Sequence, residues 1–140
     1  MNNSVINKRV IFSSFGFKYG IPEEANYVID VRFIPNPYYV DELRLFSGKE
    51  KEIKDYLLSF YETRELISNC TKFLDFIFPV FIKSARSINI AIGCTGGRHR
   101  SVALAEWLFS HYKENIQYLC KDCYYEIILK HRDISIEGDG

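Results

Sequence analysis

A single α/β domain is predicted, a three-layer domain with a small, largely parallel sheet flanked by helices. Three observations predict it. Apolar runs and helical patterns alternate in the order strand, strand, helix, helix, strand, helix, strand. The strongest strand passes through a glycine-rich turn directly into a helix, which is how parallel strands are usually joined. The 140 residues are 47% hydrophobic and 16% aromatic, with 10 Tyr and 11 Phe, enough to fill one core and too few for two ordinary domains. One domain over residues 1–140 follows, with no disulfide or metal needed to staple it.

The first strand is carried by Arg9-Val10-Ile11-Phe12 within Val5–Ser14, a β-branched and aromatic run. Ser13 to Gly20 contains Gly16, Lys18 and Gly20 and reads as the loop that leaves it. Tyr27-Val28-Ile29 marks a second strand within Asn26–Phe33, and Pro35-Asn36-Pro37 forbids a continued ladder or helix. Ser47-Gly48-Lys49-Glu50 has the spacing of a capping box, and Ile53, Tyr56, Leu57 and Phe60 follow at helical spacing. A longer helix runs from about Thr63 towards Ser84, with Leu66, Cys70, Phe73, Leu74, Ile77 and Phe81 on one face. Phe76, Phe78 and Val80 lie off that face, which leaves two accounts open, cover on a second side or self-association. Pro79 predicts a kink or a division. Ser87–Gly93 is the best strand, followed by a helix from about Arg98 to Lys113. Glu114–Cys123 is ambiguous, and Ile127-Ile128-Leu129 marks the last strand within Tyr124–Ile136.

Composition excludes several classes. Lys+Arg and Asp+Glu are both 18, so a generally basic nucleic-acid-binding face is not indicated. The opening residues lack the apolar stretch and cleavage site of a secretory signal, and no run approaches the roughly 20 apolar residues of a membrane span. The four cysteines, irregularly spaced, suit reduced thiols and a cytoplasmic location. Cys120-x-x-Cys123 lacks the second ligand pair of a zinc site, and no Walker A or dinucleotide-binding motif is present. No metal or cofactor is predicted.

The chemistry centres on Gly93-Cys94-Thr95-Gly96-Gly97-Arg98-His99-Arg100-Ser101. A strand-to-helix junction presents free backbone amides and the positive end of a helix dipole at the carboxyl edge of the sheet. Gly96 and Gly97 let a ligand approach the backbone. Arg98, His99 and Arg100 add directed donors, and Thr95 and Ser101 add hydroxyls. The pattern predicts an oxyanion site. In a parallel sheet the loops holding Lys18 and holding Asp30, Arg32 and Asn36 share that edge, and His131 ends the last strand there. Asp30 offers an acceptor for a sugar hydroxyl or amine. Each of these charges has an ordinary alternative as a strand-end ion pair, and Arg132 and Asp133 one as surface residues.

The segments Ser14–Pro22, Asp30–Tyr38, Ile90–Ser101 and His131-Arg132-Asp133, in that order, resemble the C-terminal domain of the RapZ family (RNase adapter protein, YvcJ-like). The similarity runs from about Arg9 to about Asp133 and touches that module alone, without the family's N-terminal P-loop kinase-like domain. The resemblance implies binding of glucosamine-6-phosphate by the matching loop residues and an RNA-binding adapter role in RNase-dependent regulation. It leaves a homo-oligomer and a protein partner, a kinase-like chain or an RNase, open. The acidic end, Ile134 to Gly140, departs from the Lys/Arg-rich tail of RNA-binding members. A different reading is a cysteine-dependent phosphatase, because Cys94 and Arg100 have the C-x5-R spacing of that loop, with Asp30 or Asp133 as the acid. The expectation is a non-catalytic sensing module.

Overall fold

The computed structural model describes residues 8–84, 86–118 and 125–136. Among these residues four strands form one sheet: β1 (Lys8–Gly16), β2 (Tyr27–Asp30), β3 (Ile88–Cys94) and β4 (Tyr125–His131). Their spatial order is β2-β3-β1-β4 and every pairing is parallel. Three helices accompany them: α1 (Lys51–Leu58), α2 (Tyr61–Lys83) and α3 (Arg100–Asn115). The order of elements read from the sequence is the order found. Cys120 and Cys123 lie outside the described residues.

Register assigns the faces, because paired residues point to the same side of a sheet. Val10, Phe12 and Ser14 of β1 share one face with Ile88, Ile90, Ile92 and Cys94 of β3 and with Ile127, Leu129 and His131 of β4. That face takes the helices. Phe12 stacks on Tyr112 of α3 (ring centroids 5.8 Å apart) and meets Phe78 of α2 edge-on (6.1 Å). Tyr112, fully buried, donates its hydroxyl to Asp75 Oδ1 (2.8 Å) and to the Thr71 carbonyl (3.0 Å), and burial pushes its ionisation far upwards. Burial likewise raises the Cys70 thiol to about 11.

The opposite face carries Ser13, Phe15, Asn89, Ala91 and Gly93. A Cβ at Gly93 would meet the rings of Phe15 and Phe17 at 2.5 Å, so the glycine makes room for them. Handedness requires this split. β1 to β2 moves one way across the sheet, whereas β2 to β3 and β3 to β4 move the other way. Right-handed crossovers therefore put the first connection on one face and the helices on the other.

Of the two outcomes expected at Pro79, the division does not occur, because α2 continues through it to Lys83. The capping box is corrected. Ser47 and Glu50 do bond, Glu50 Oε2 accepting from both the Ser47 amide and hydroxyl at 2.7 Å. The Ser47 hydroxyl, however, accepts from Lys49, so the pair closes a turn ahead of α1. The reason is Gly48, whose amide donates to the Arg98 carbonyl (2.9 Å) and whose Cα faces α3 so closely that a Cβ would lie 2.2 Å from the His99 carbonyl. Among the described residues no helix is long and apolar enough to cross a membrane.

Candidate functional site

Because all four strands are parallel, the loops after β1, β2, β3 and β4 leave from one edge. β1 and β3 are neighbours whose onward connections leave on opposite faces, the arrangement that places ligand sites in doubly wound sheets. The turn from β3 into α3 lies there and folds across the end of β1. Gly97 has φ +78°, and a Cβ on it would sit 2.5 Å from the Gly16 amide. A Cβ on Gly16 would sit 2.5 Å from the Gly96 carbonyl carbon. The two backbones touch, so glycine is required on both sides. The Lys18 amide donates to the Thr95 carbonyl (3.2 Å), fastening the loop after β1 to the same turn.

Arg100, Arg98 and His99 bind backbone carbonyls of neighbouring loops. Arg100 is 3% exposed. Its NH1 donates to the carbonyls of Arg32 (2.8 Å) and Ile34 (3.0 Å), and NH2 to Thr95 Oγ1 (3.3 Å). Among the described residues its Nε–H is buried without a hydrogen-bond partner, and burial lowers its pKa. Arg98 donates to the carbonyls of Leu45 (2.7 Å) and Ile134 (3.3 Å). His99, fully buried, donates Nε2–H to the Arg44 carbonyl (3.2 Å), while among the described residues Nδ1 has no hydrogen-bond partner within normal geometry. Burial holds its pKa below the usual imidazole value. Cys94 and Ser101 are also fully buried, and the Cys94 thiol donates to Ser101 Oγ at 3.1 Å. Among the described residues no side chain caps the start of α3.

The loop after β2 brings Asp30 and Arg32 to the same edge. Arg32 donates to Asp30 through NE (2.9 Å), NH2 (2.7 Å) and its amide (2.9 Å), and its guanidinium lies 3.9 Å from the centre of the Phe17 ring. Both side chains are half-exposed, and the bonds from Arg32 hold the Asp30 carboxyl below its usual range. Asn36 caps the turn at Pro37–Tyr39, its Oδ1 accepting from the Tyr38 amide at 3.1 Å. Lys18 is exposed, and its ammonium lies 5.7 Å from the centre of the Tyr19 ring.

His131 faces the helices. Glu106 Oε2 accepts from Nε2 (3.2 Å), which makes Nδ1 the acceptor of the Ser14 hydroxyl (2.6 Å), and Lys54 pairs with Glu106 Oε1 (2.6 Å). Asp133, 4% exposed, accepts the Gly16 amide at 2.8 Å, so its reading as a surface residue is corrected. Sequence reasoning missed Glu106, Lys54 and Gly48; these residues meet the site only through the helix layer, and local spacing carries no trace of it. Among the described residues no group of three or more His, Cys, Asp or Glu could hold a metal ion.

A family model described as the RapZ C-terminal domain matches residues 8–135. A nucleotide-binding protein of Clostridium novyi (strain NT) is 48% identical over 133 residues, 93% of this chain and 42% of that protein. One from Acetivibrio thermocellus is 48% identical over 126 residues, covering 89% of this chain and 40% of that one. One from Dictyoglomus thermophilum is 45% identical over 135 residues, covering 95% and 43%. The chain spans about two fifths of the length of these relatives.

Proposed function

Since this chain belongs to the RapZ C-terminal domain family, we propose that its β3–α3 loop binds the phosphate of a phosphorylated amino sugar such as glucosamine-6-phosphate, as a non-catalytic sensing module in the cytoplasm. The observation that carries the reading is the start of α3. Among the described residues it has no side-chain cap, and the guanidinium beside it is buried with one N–H unpartnered. A helix N-terminus with a buried donor suits an oxyanion, which takes up the orphan amides and the dipole together. Arg32 and Lys18 supply charge from the adjoining loops. Asp30, kept ionised by Arg32, is the acceptor for the amine or a hydroxyl.

The phosphatase alternative requires an accessible thiolate and an arginine facing the phosphate. Cys94 is fully buried against Ser101, and Arg100 holds carbonyls, so binding is the better-supported reading. An adapter role towards RNA is what the family resemblance implies, and it is proposed here on that ground alone.

The test is calorimetry with glucosamine-6-phosphate, glucose-6-phosphate and inorganic phosphate. Sugar phosphate should bind, inorganic phosphate should compete with it, and Arg32→Ala, at an exposed position that spares the core, should weaken it about tenfold. Absence of binding by all three ligands would refute the reading.

A further inference from the structure

We propose that Asp133 is the positioning residue of the glycine loop, setting through Gly16 the geometry in which Gly96 to Arg98 meet an oxyanion. The inference rests on the reading of that loop as a phosphate site.

The contacts form a stack. Asp133 Oδ2 accepts the Gly16 amide at 2.8 Å. Gly16 lies against Gly96 and Gly97, backbone on backbone. A Cβ at Gly97 would also sit 3.0 Å from the Cβ of Asp133, so Asp133, the end of β1 and the glycine loop are in mutual contact. A displacement of any one member is passed to the others, because close-packed atoms have no slack to absorb it.

A buried carboxylate under an anion site is electrostatically unfavourable unless a cation offsets it. Arg132 does so. Its NE donates to both carboxylate oxygens (3.0 and 3.1 Å), and NH2 donates to Oδ2 (2.9 Å) and to the Gly20 carbonyl (2.7 Å). Its amide donates to the Ser14 carbonyl (3.1 Å). The Arg132–Asp133 pair thus fixes the end of β1, the start of the crossing segment and the exit of β4 in one frame. The charge is neutralised where it stands, and the carboxylate acts through geometry.

Asp133→Ala, Asp133→Asn and Arg132→Met are compared by calorimetry with glucosamine-6-phosphate and inorganic phosphate, under conditions where urea titration shows each variant folded. Asp133→Ala should weaken both ligands by a similar factor, about tenfold, because the shared phosphate loop is what shifts. Asp133→Asn keeps an acceptor for the Gly16 amide and should recover most of that loss. Should Asp133→Ala not fold, Arg132→Met, which leaves the carboxylate but frees Gly20, should give an intermediate loss. Amide hydrogen exchange in the ligand-free protein supplies a readout that needs no ligand. Gly16, Gly96 and Gly97 should exchange faster in Asp133→Ala than in Asp133→Asn, with α2 unchanged. If wild type binds no phosphate, the phosphate reading fails while these glycine amides still decide the positioning role. Unchanged exchange in Asp133→Ala, or equal losses in the Asn and Ala variants, would overturn it.

Discussion

A buried guanidinium normally needs a carboxylate, and Arg100 is held mainly by main-chain carbonyls. The bonds to Arg32 and Ile34 make it the strut of the loop after β2, which carries Asp30. Arg100→Met should therefore cost about 3 kcal/mol in urea titrations, as two inward carbonyls lose their donor. Arg100→Lys should recover little, because one ammonium cannot reproduce the planar fork. Selectivity is argued at Asp30. Asp30→Asn should weaken glucosamine-6-phosphate about tenfold, glucose-6-phosphate less and inorganic phosphate least, measured by calorimetry. An equal loss across the three would mean that Asp30 only orders Arg32. The two histidines give a pH signature. Burial depresses both His99 and His131 in the folded state, with Glu106 opposing it at His131 and Lys49 and Lys54 reinforcing it. Their unfolded imidazoles titrate near pH 6.5. Above that pH their contribution to stability is complete. As pH falls below it the unfolded chain takes up protons that the folded one refuses, so stability declines until the folded pKa values are passed. The urea midpoint should drop between pH 7.5 and pH 5.5, and His131→Gln should flatten that drop.

At the scale of elements, α2 separates two sets of residues that periodicity had grouped. Phe78 is fully buried between Phe12 and Tyr112, whereas Phe76 is 73% and Val80 62% exposed, with Phe73 beside them. Phe78→Ala should cost about 3–5 kcal/mol. Phe76→Ser should leave the free energy of unfolding within about 0.5 kcal/mol, and any effect should appear in light scattering at high concentration, where self-association shows. The strands were legible because each holds a run of β-branched or aromatic residues, and glycine or proline marks the end of β1, β2 and β3 and the turn into α3. The capping box misled because Ser47 and Glu50 have the right spacing for a helix start, yet Gly48 is held by α3, and a tertiary contact of that kind leaves no local pattern. The glycine loop was legible as a motif. The inward turn of Arg100 was not, because its partners are carbonyls about 66 to 68 residues away, and every residue type has a carbonyl. His131-Arg132-Asp133 stood out as a cluster, but its burial depended on Gly16 and α3, which sequence proximity does not join.

For the whole molecule, β1 is the organising strand, paired on both sides and touched by α3 and α2. A chain stopped before Tyr125 should lose its cooperative urea transition, because Val10 and Phe12 would lose the cover of Ile127 and Leu129, and Gly16 would lose Asp133. That central placement also sets a timetable. During synthesis β1 is made before either neighbour, with β3 some 78 positions and β4 some 117 positions later. At about 5–20 residues per second, the wait for β3 on the ribosome is roughly 4–16 s. Throughout it Val10, Ile11 and Phe12 have no sheet to join, and an unpaired apolar strand is what chaperones bind and aggregates recruit. The yield of active protein from a cell should accordingly respond to translation rate and chaperone supply more than its native stability would suggest.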